Sequence, residues 1–365
     1  MKSIGLLIQG GHLLSNGITQ QGHYTKLALE ACGYDVDLLS TSEIEQYTKL
    51  GHSVKVISPD FDTSKYMLII FVSALLSSRD EQNIHFMNKA RMAGCKFVNL
   101  ICGNIFYLYQ EEIIFHTHNV IASNYNTFID EIWVLPMYTY SLEMLEIFFK
   151  KPVRIAPYIW NSDILTTFES DVNTMECTSL PNQEVTLICA EPNMSVHKNA
   201  FVPIMIAEAY EHKFNKLNSL AILCGNKLKL DDLKQYLTCK HKIQCCDRIA
   251  FFHILKECKQ KSVTFPTIVS HQYLNDLNFV HFETLYLGWP LIHNCERLIN
   301  VGYYYDSHDV ISASAQIEYA RLNHTRNHEM YMKKVHEFLD TYNPRNKKVT
   351  HIYTNLINNL VSDST

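Results

Sequence analysis

Residues 269–294, VSHQYLNDLNFVHFETLYLGWPLIHN, decide how this chain folds. An apolar run ends at Val269 and gives way to a polar turn. A segment with helical spacing follows, and Gly288-Trp289-Pro290 closes it before a second apolar pair, Leu291-Ile292. The outline is strand, loop, helix, strand. Glu283 is the single charge in the helical segment, five residues before the glycine of the Gly-x-Pro turn. In an open α/β sheet, polar groups at the carboxyl ends of strands and in the first turns of the following helices face the ligand crevice. The stretch therefore predicts a parallel sheet with a ligand site at its carboxyl edge, and Glu283 is the acid to watch.

Working outward, the same unit recurs. Residues 4–8 form a buried strand, Gly10-Gly11 and Ser15-Asn16-Gly17 a glycine loop, and residues 19–32 a helix. Glycines there let a ligand approach the backbone, beside unpaired N–H donors of a helix start. The spacing is not G-x-G-x-x-G, which disfavours a dinucleotide oxidoreductase. Strands at 35–40, 66–72 and 96–101 alternate with helices near 42–51 and 80–93. Residues 131–136 and 152–157 add proline-bounded strands, and a helix at 141–149 has Ser141 as its expected N-cap. Alternation of this kind implies a parallel sheet covered on both faces.

A polar stretch without period, residues 166–184, reads as a connection between a first domain, 1–165, and a second, 185–342. The second domain shows strands at 185–188 and 220–224 with helices at 201–212, from Asp231, and near 249–259. Residues 326–340 and 346–361 have amphipathic spacing, and segment 343–365 is expected to close the chain by packing back across the domains. Two α/β domains create a cleft, where small-molecule sites prefer to sit.

Composition narrows the function classes. The 365 residues suit two domains; they are 47% hydrophobic and 19% charged, a globular balance. A net charge of −5 gives no general basic field for a polyanion, although Lys89, Arg91 and Lys96, and Lys150, Lys151 and Arg154, form local clusters. Eleven cysteines without a C-x-x-C pair argue against a disulfide framework or zinc ribbon and for a reducing cytoplasm. No H-E-x-x-H or similar spacing appears among the 18 histidines, so no metal site is expected. No run approaches the roughly 20 apolar residues that span a bilayer.

Several motifs in one order then point to a family: Ser15-Asn16-Gly17-Ile18, residues 131–160, residues 191–199 (EPNMSVHKN), His271-Gln272 with Asn278, residues 288–294 (GWPLIHN) and Gly302-Tyr303-Tyr304-Tyr305. On these the chain resembles the bacterial and phage family DUF2827, which looks like a GT-B glycosyltransferase. The resemblance implies two Rossmann-like domains whose parallel sheets face a central cleft. Residues 283–292, ETLYLGWPLI, are similar to the E-A-x-x-x-G-x-P-V-[IV] segment of retaining GT-B enzymes, whose glutamate holds the donor's ribose hydroxyls. A carboxylate accepts two hydrogen bonds from a vicinal diol, which is why an acid belongs there. Many such enzymes carry a second glutamate eight residues earlier, where this chain has Asn275.

The donor would then be a nucleotide sugar, UDP-linked, serving as co-substrate with no other cofactor and no metal. Lys198 and Arg248 are the candidates for its diphosphate, and Asn193, Asn278, Gly288, His293 and Asn294 complete the expected donor set. On the acceptor side stand Gly11, Ser15, Asn16 and Gly17. Candidate bases are His12, Glu112, His116 and His118, because histidine or a carboxylate can take a hydroxyl proton near neutral pH. Two acceptors compete, a hydroxylated base in phage DNA and a glycan or small polar molecule. A non-catalytic sugar-nucleotide-binding protein is the reading from another class.

Overall fold

The computed structural model describes residues 3–14, 16–73, 76, 80–116, 127–168, 183–249, 251, 253, 254, 256, 257 and 264–362. The chain divides into two compact units, Met1–Phe168 with Asp340–Thr365, and Glu169–Leu339. The first therefore takes back the C-terminal segment, and its edge falls at Phe168, three residues beyond the expected 165.

In the first unit, strands β1 (Ser3–Leu7), β2 (Val36–Ser40), β3 (Val54–Val56), β4 (Tyr66–Val72), β5 (Lys96–Ile101), β6 (Glu131–Val134) and β7 (Val153–Ile155) form one sheet in the order β3-β2-β1-β4-β5-β6-β7. Every pairing is parallel. The central strand β4, YMLIIFV, is almost continuously apolar because helices cover both faces of a parallel sheet. Those helices are α1 (Gly17–Ala31), α2 (Glu81–Met92), α3 (Ile105–Phe115), α4 (Leu142–Phe149), α5 (Asp163–Phe168) and the C-terminal Lys347–Ser362. The last buries Val349, Tyr353, Ile357 and Leu360, one helical stripe, and Tyr353 packs 6.1 Å from Trp133 between ring centres.

Two local expectations needed correction. The helix expected at 42–51 is a 3₁₀ turn, Glu45–Leu50, ending on a left-handed Gly51. Ser141 precedes α4 but does not cap it; its hydroxyl donates to the Tyr138 carbonyl at 2.9 Å.

The second unit contains β8 (Val185–Cys189), α6 (Phe201–Phe214), β9 (Leu217–Ile222), α7 (Asp231–Lys234), β10 (Ile243–Cys245), β11 (Phe265–Val269), α8 (Phe279–Tyr286), β12 (Leu291–His293), β13 (Tyr303–Tyr304), α9 (Val310–Asn323) and α10 (His328–Asp340). Its strands run parallel in the order β10-β9-β8-β11-β12-β13. Chain order reverses between β8 and β11, and this switch point is where ligands bind in open α/β sheets. Among residues 249–259, those described in the helical conformation are Phe251, His253, Ile254, Lys256 and Glu257.

Candidate active site

Two loops leave neighbouring strands at the switch point, one after β8 and one after β11. Glu191, the second residue past β8, is 2% exposed. Its carboxylate accepts the Ser270 hydroxyl on Oε1 at 2.5 Å and the Gln272 amide on Oε2 at 2.6 Å. Asn275 Nδ2 donates to Gln272 Oε1 at 2.8 Å, and His281 Nε2 lies 2.8 Å from Ser270 Oγ. Since the Ser270 proton goes to the carboxylate, His281 Nε2 carries the hydrogen of that contact. His281 Nδ1 is then left to accept from the Cys295 thiol, 3.7 Å away. One directional network thus joins β8, β11, α8 and the residue past Asn294.

Lys198 sits half-buried in the same β8 loop, shortly before α6. Its backbone N–H closes a turn on the Ser195 carbonyl at 3.2 Å, and the Tyr273 N–H joins the two loops through the His197 carbonyl at 3.1 Å. Burial lowers the Lys198 pKa, while Glu191 and Cys295 oppose the shift. Burial raises the Glu191 pKa, opposed by Ser270, Lys198 and Gln272. His281 is held well below its usual value by burial, and His197 is lowered to about 3 for the same reason. Both rings are neutral near pH 7.

Glu283 lies in the second turn of α8 and is 5% exposed, so it is no solvated helix charge. Asn278 starts that helix, its side-chain oxygen accepting the Val280 N–H at 3.2 Å. Arg248 is exposed on the loop after β10.

Four of the residues expected at the donor have structural roles. Asn193, with φ +53°, gives its amide to the carbonyls of Glu191 and Leu223 at 3.0 Å each and accepts the Ala200 N–H at 2.8 Å. Asn294 is bound in both directions to the Gln272 backbone at 2.9 Å. His293 is fully buried; Nε2 reaches the Val301 carbonyl at 2.8 Å and Nδ1 accepts the Cys295 N–H at 3.2 Å. Gly302, at φ +71°, is what lets that ring fit, because a Cβ there would stand 2.8 Å from His293 Nε2. Gly288 follows the C-terminal end of α8, hence the opposite edge of the sheet from the loops after β8 and β11. There, at φ +70°, it packs against His328 and Met332.

In the first unit, the glycine loop does lie at the carboxyl end of β1. Leu13 ties it down, accepting the Gln20 amide on its carbonyl at 2.7 Å and donating its N–H to Gln46 at 2.8 Å. Asn16 caps α1 by accepting the Ile18 N–H at 3.0 Å, and a Cβ on Gly11 would meet its amide nitrogen at 2.5 Å. Gly17 opens α1, and His12 is exposed on the loop. Ser15 and His118 fall outside the described residues. Glu112 and His116 belong to the last turn and C-cap of α3, a helix that starts at the carboxyl end of β5. They therefore lie toward the other edge of the sheet, about 10–16 Å along the helix at 1.5 Å per residue, away from His12.

Three of the six residues in the basic clusters make contacts within this unit. Arg91 pairs with Asp130 at 2.9 Å, Lys89 donates to the Phe61 carbonyl at 2.9 Å, and Arg154 approaches Glu131 at 3.9 Å. Among the described residues no helix is long and apolar enough to cross a membrane.

Two parallel Rossmann-like sheets, the second with its polar network at the switch point, define the GT-B architecture. The chain belongs to the family described as "Protein of unknown function (DUF2827)", whose profile matches residues 3–357. No curated protein matches it in sequence. Among solved structures it is similar to an alpha-glucosyltransferase in complex with UDP and a 13-mer DNA containing a HMU base, with TM-score 0.59 and 11% identity over 99% of this chain and 100% of that one. HepE of Anabaena, in complex with UDP and glucose, gives TM-score 0.55 and 10% identity over 98% and 99%. The lipopolysaccharide outer core galactosyltransferase WaaB gives 0.54 and 9% over 96% and 99%. Other matched structures are longer: the chain spans 57%, 55% and 58% of the GtfA/B, TarM and pneumococcal GtfA chains. Identities this low establish a shared fold.

Proposed function

We propose that the protein is a glycosyltransferase that moves a sugar from a nucleotide donor, UDP-linked, to a hydroxyl acceptor without a bound metal. The observation that carries this reading is the pairing, on the loops and helix of one switch point, of a half-buried ammonium without a hydrogen-bond partner among the described residues, Lys198, with a buried carboxylate, Glu283. In this reading Lys198, aided by the exposed Arg248, receives the diphosphate and stabilises the charge that grows there as the sugar leaves. Glu283 accepts the ribose hydroxyls. Gly11, Asn16 and Gly17, with His12 as the best-placed base, serve the acceptor.

For the acceptor we favour a hydroxylated base in DNA, such as a hydroxymethylated one, reached out of its stack. The support is the end-to-end likeness in fold to an enzyme solved with UDP and HMU-containing DNA. A glycan acceptor is the second reading, supported by the similar coverage of WaaB. The protein would act in the cytoplasm, of the host if phage-encoded.

A panel of nucleotide sugars scored by thermal shift, then by nucleotide release with hydroxymethylated DNA and with glycans, tests this. Release with DNA that falls steeply between 50 and 200 mM salt supports the first acceptor; salt-insensitive release only with glycans supports the second. Binding without release on any acceptor leaves a sugar-nucleotide-binding protein, and no binding across the panel refutes the proposal.

A further inference from the structure

We infer that Glu191 is a positioning residue of the donor site: its carboxylate is the fixed counter-charge that keeps Lys198 protonated, and through Gln272 it orients the Asn275 amide. This rests on the donor reading of Lys198 given above. Glu191 and Lys198 share the loop after β8. The titratable groups facing the lysine are Glu191 and His197 on that loop, His281 on α8, and Cys295 past β12. Burial keeps both histidines and the Cys295 thiol neutral, which leaves Glu191 as the acid whose carboxylate can face the lysine with a charge. Around the carboxylate, Cys189, Cys295 and Tyr305 are likewise held neutral by burial. A half-buried ammonium, whose charged form burial disfavours, is thus supported by one acid.

The geometry keeps that support at a distance. Ser270 and Gln272 each tether one carboxylate oxygen, at 2.5 and 2.6 Å, and so hold the acid turned toward the β11 loop. Lys198 makes no ion pair within 4.0 Å among the described residues, which leaves its N–H donors for an incoming anion. A direct salt bridge would compete with a phosphate for the same hydrogens. A tethered carboxylate supplies the field without taking the contact.

The test is Glu191→Gln, which removes the charge and keeps the shape. The network can be satisfied in reverse: the new amide donates to Ser270 Oγ, the Ser270 hydroxyl turns to His281 Nε2, and His281 takes its other tautomer. Ionisation of Lys198 is read by competitive acetic anhydride labelling across pH and mass spectrometry, with the exposed Lys227 and Lys229 as references. The midpoint of Lys198 should fall by about one to two pH units in E191Q, as expected for losing a charge several ångströms away at an effective dielectric near 20, while the references stay fixed. Asn275→Ala loosens the network but keeps both hydrogen bonds to the Glu191 carboxylate, and should move Lys198 by less than about a third of that shift. Equal behaviour of the two variants would make Glu191 merely structural and overturn the inference. So would a carbon-13 signal showing the Glu191 carboxyl protonated at pH 7 in the unmodified protein, which requires no variant. The labelling is done without nucleotide, so failure of the donor reading, seen as no protection of Lys198 by UDP, is separable from failure of this one.

Discussion

Replacing Lys198 by methionine asks most of the donor site. The substitution keeps an unbranched apolar stem and removes the ammonium, so lost packing contributes little. One charge-assisted hydrogen bond to a phosphate oxygen is worth about 1.5–3 kcal/mol, which corresponds to roughly 10- to 150-fold in Kd. A Coulomb bound of about 4 kcal/mol at 4 Å and an effective dielectric of 20 caps the loss near three decades. Isothermal titration with UDP, UMP and uridine separates phosphate from nucleoside binding. K198M should weaken UDP by the stated factor and leave uridine within about twofold. Removing the lysine also leaves the Glu191 carboxylate unopposed, so part of the UDP loss is repulsion; adding E191Q should recover some of it, giving a coupling that neither single variant shows. A folded K198M that binds UDP within twofold of the unmodified protein, or loses uridine equally, would refute the assignment of the diphosphate to Lys198.

Glu283→Gln should cost uridine about 1.5–3 kcal/mol of affinity by spoiling a two-bond acceptor, yet bind 2′,3′-dideoxyuridine normally; if the unmodified protein binds the dideoxy analogue as well as uridine, Glu283 does not hold the ribose. Asp130 accepts two contacts from Arg91 Nη1 at 2.9 Å and the Phe97 N–H at 2.7 Å, so Asp130→Ala should destabilise the first unit. The cost should be about 2 kcal/mol, or roughly 4–8 °C in melting temperature, whereas the exposed Asp60→Ala should change little. Burial lowers His23 and His197 to about 3, and His271, His293 and His324 to about 4. These rings take up protons on unfolding below the unfolded value near 6.5. The stability they contribute is complete above that pH and is lost as pH falls toward the folded values, by about 1.4 kcal/mol per group per pH unit. Glu191 and Asp276, both raised by burial, work in the opposite sense but are two groups against these five. The denaturant midpoint should be flat between pH 7 and 8 and fall from 6.5 to 5; a rise toward pH 5 would contradict the buried neutral rings.

Legibility in the sequence followed the strength of the burial pattern. Strands buried on both faces are plain: the runs 66–72 and 96–101 coincide with β4 and β5. The closing helices were readable because Val335 and Leu339, and then Val349, Tyr353, Ile357 and Leu360, repeat at helical spacing. α3 and α9 gave no such stripe. α3 is apolar around its circumference, exposing Ile113, Ile114 and Phe115 while burying Glu111. α9 buries Ser314 and Arg321, the latter satisfied by Glu318 at 2.7 Å, so its inner face does not read as apolar. Strands β3, β10 and β13 are two or three residues long, too short to carry a period. In the site, Asn193, Asn278 and Asn294 were singled out as ligand contacts, but an asparagine amide serves a left-handed turn, a helix cap or a loop staple equally well. Glu191 opens the motif 191–199, but its role is not legible there, because its environment is decided by Ser270 and Gln272, 79 and 81 positions away.

Charge beside the two sheets is disposed differently. In the first, the glycine loop is held through the Leu13 backbone by the neutral Gln20 and Gln46, and the charged contacts around the strands, Lys55 with Asp37 and Arg91 with Asp130, are matched pairs. Such an arrangement is what folding alone favours. In the second, one sheet edge buries Glu191 and Glu283 and half-buries the Lys198 ammonium, which makes no ion pair within 4.0 Å among the described residues, although burying a charge opposes folding unless it is closely paired. Apolar replacements at Glu191 and Lys198 together should therefore raise the melting temperature of the second unit while abolishing nucleotide binding. A stabilised double variant that still bound UDP would mean that the charge is a relic of packing, and would place the donor elsewhere on the chain.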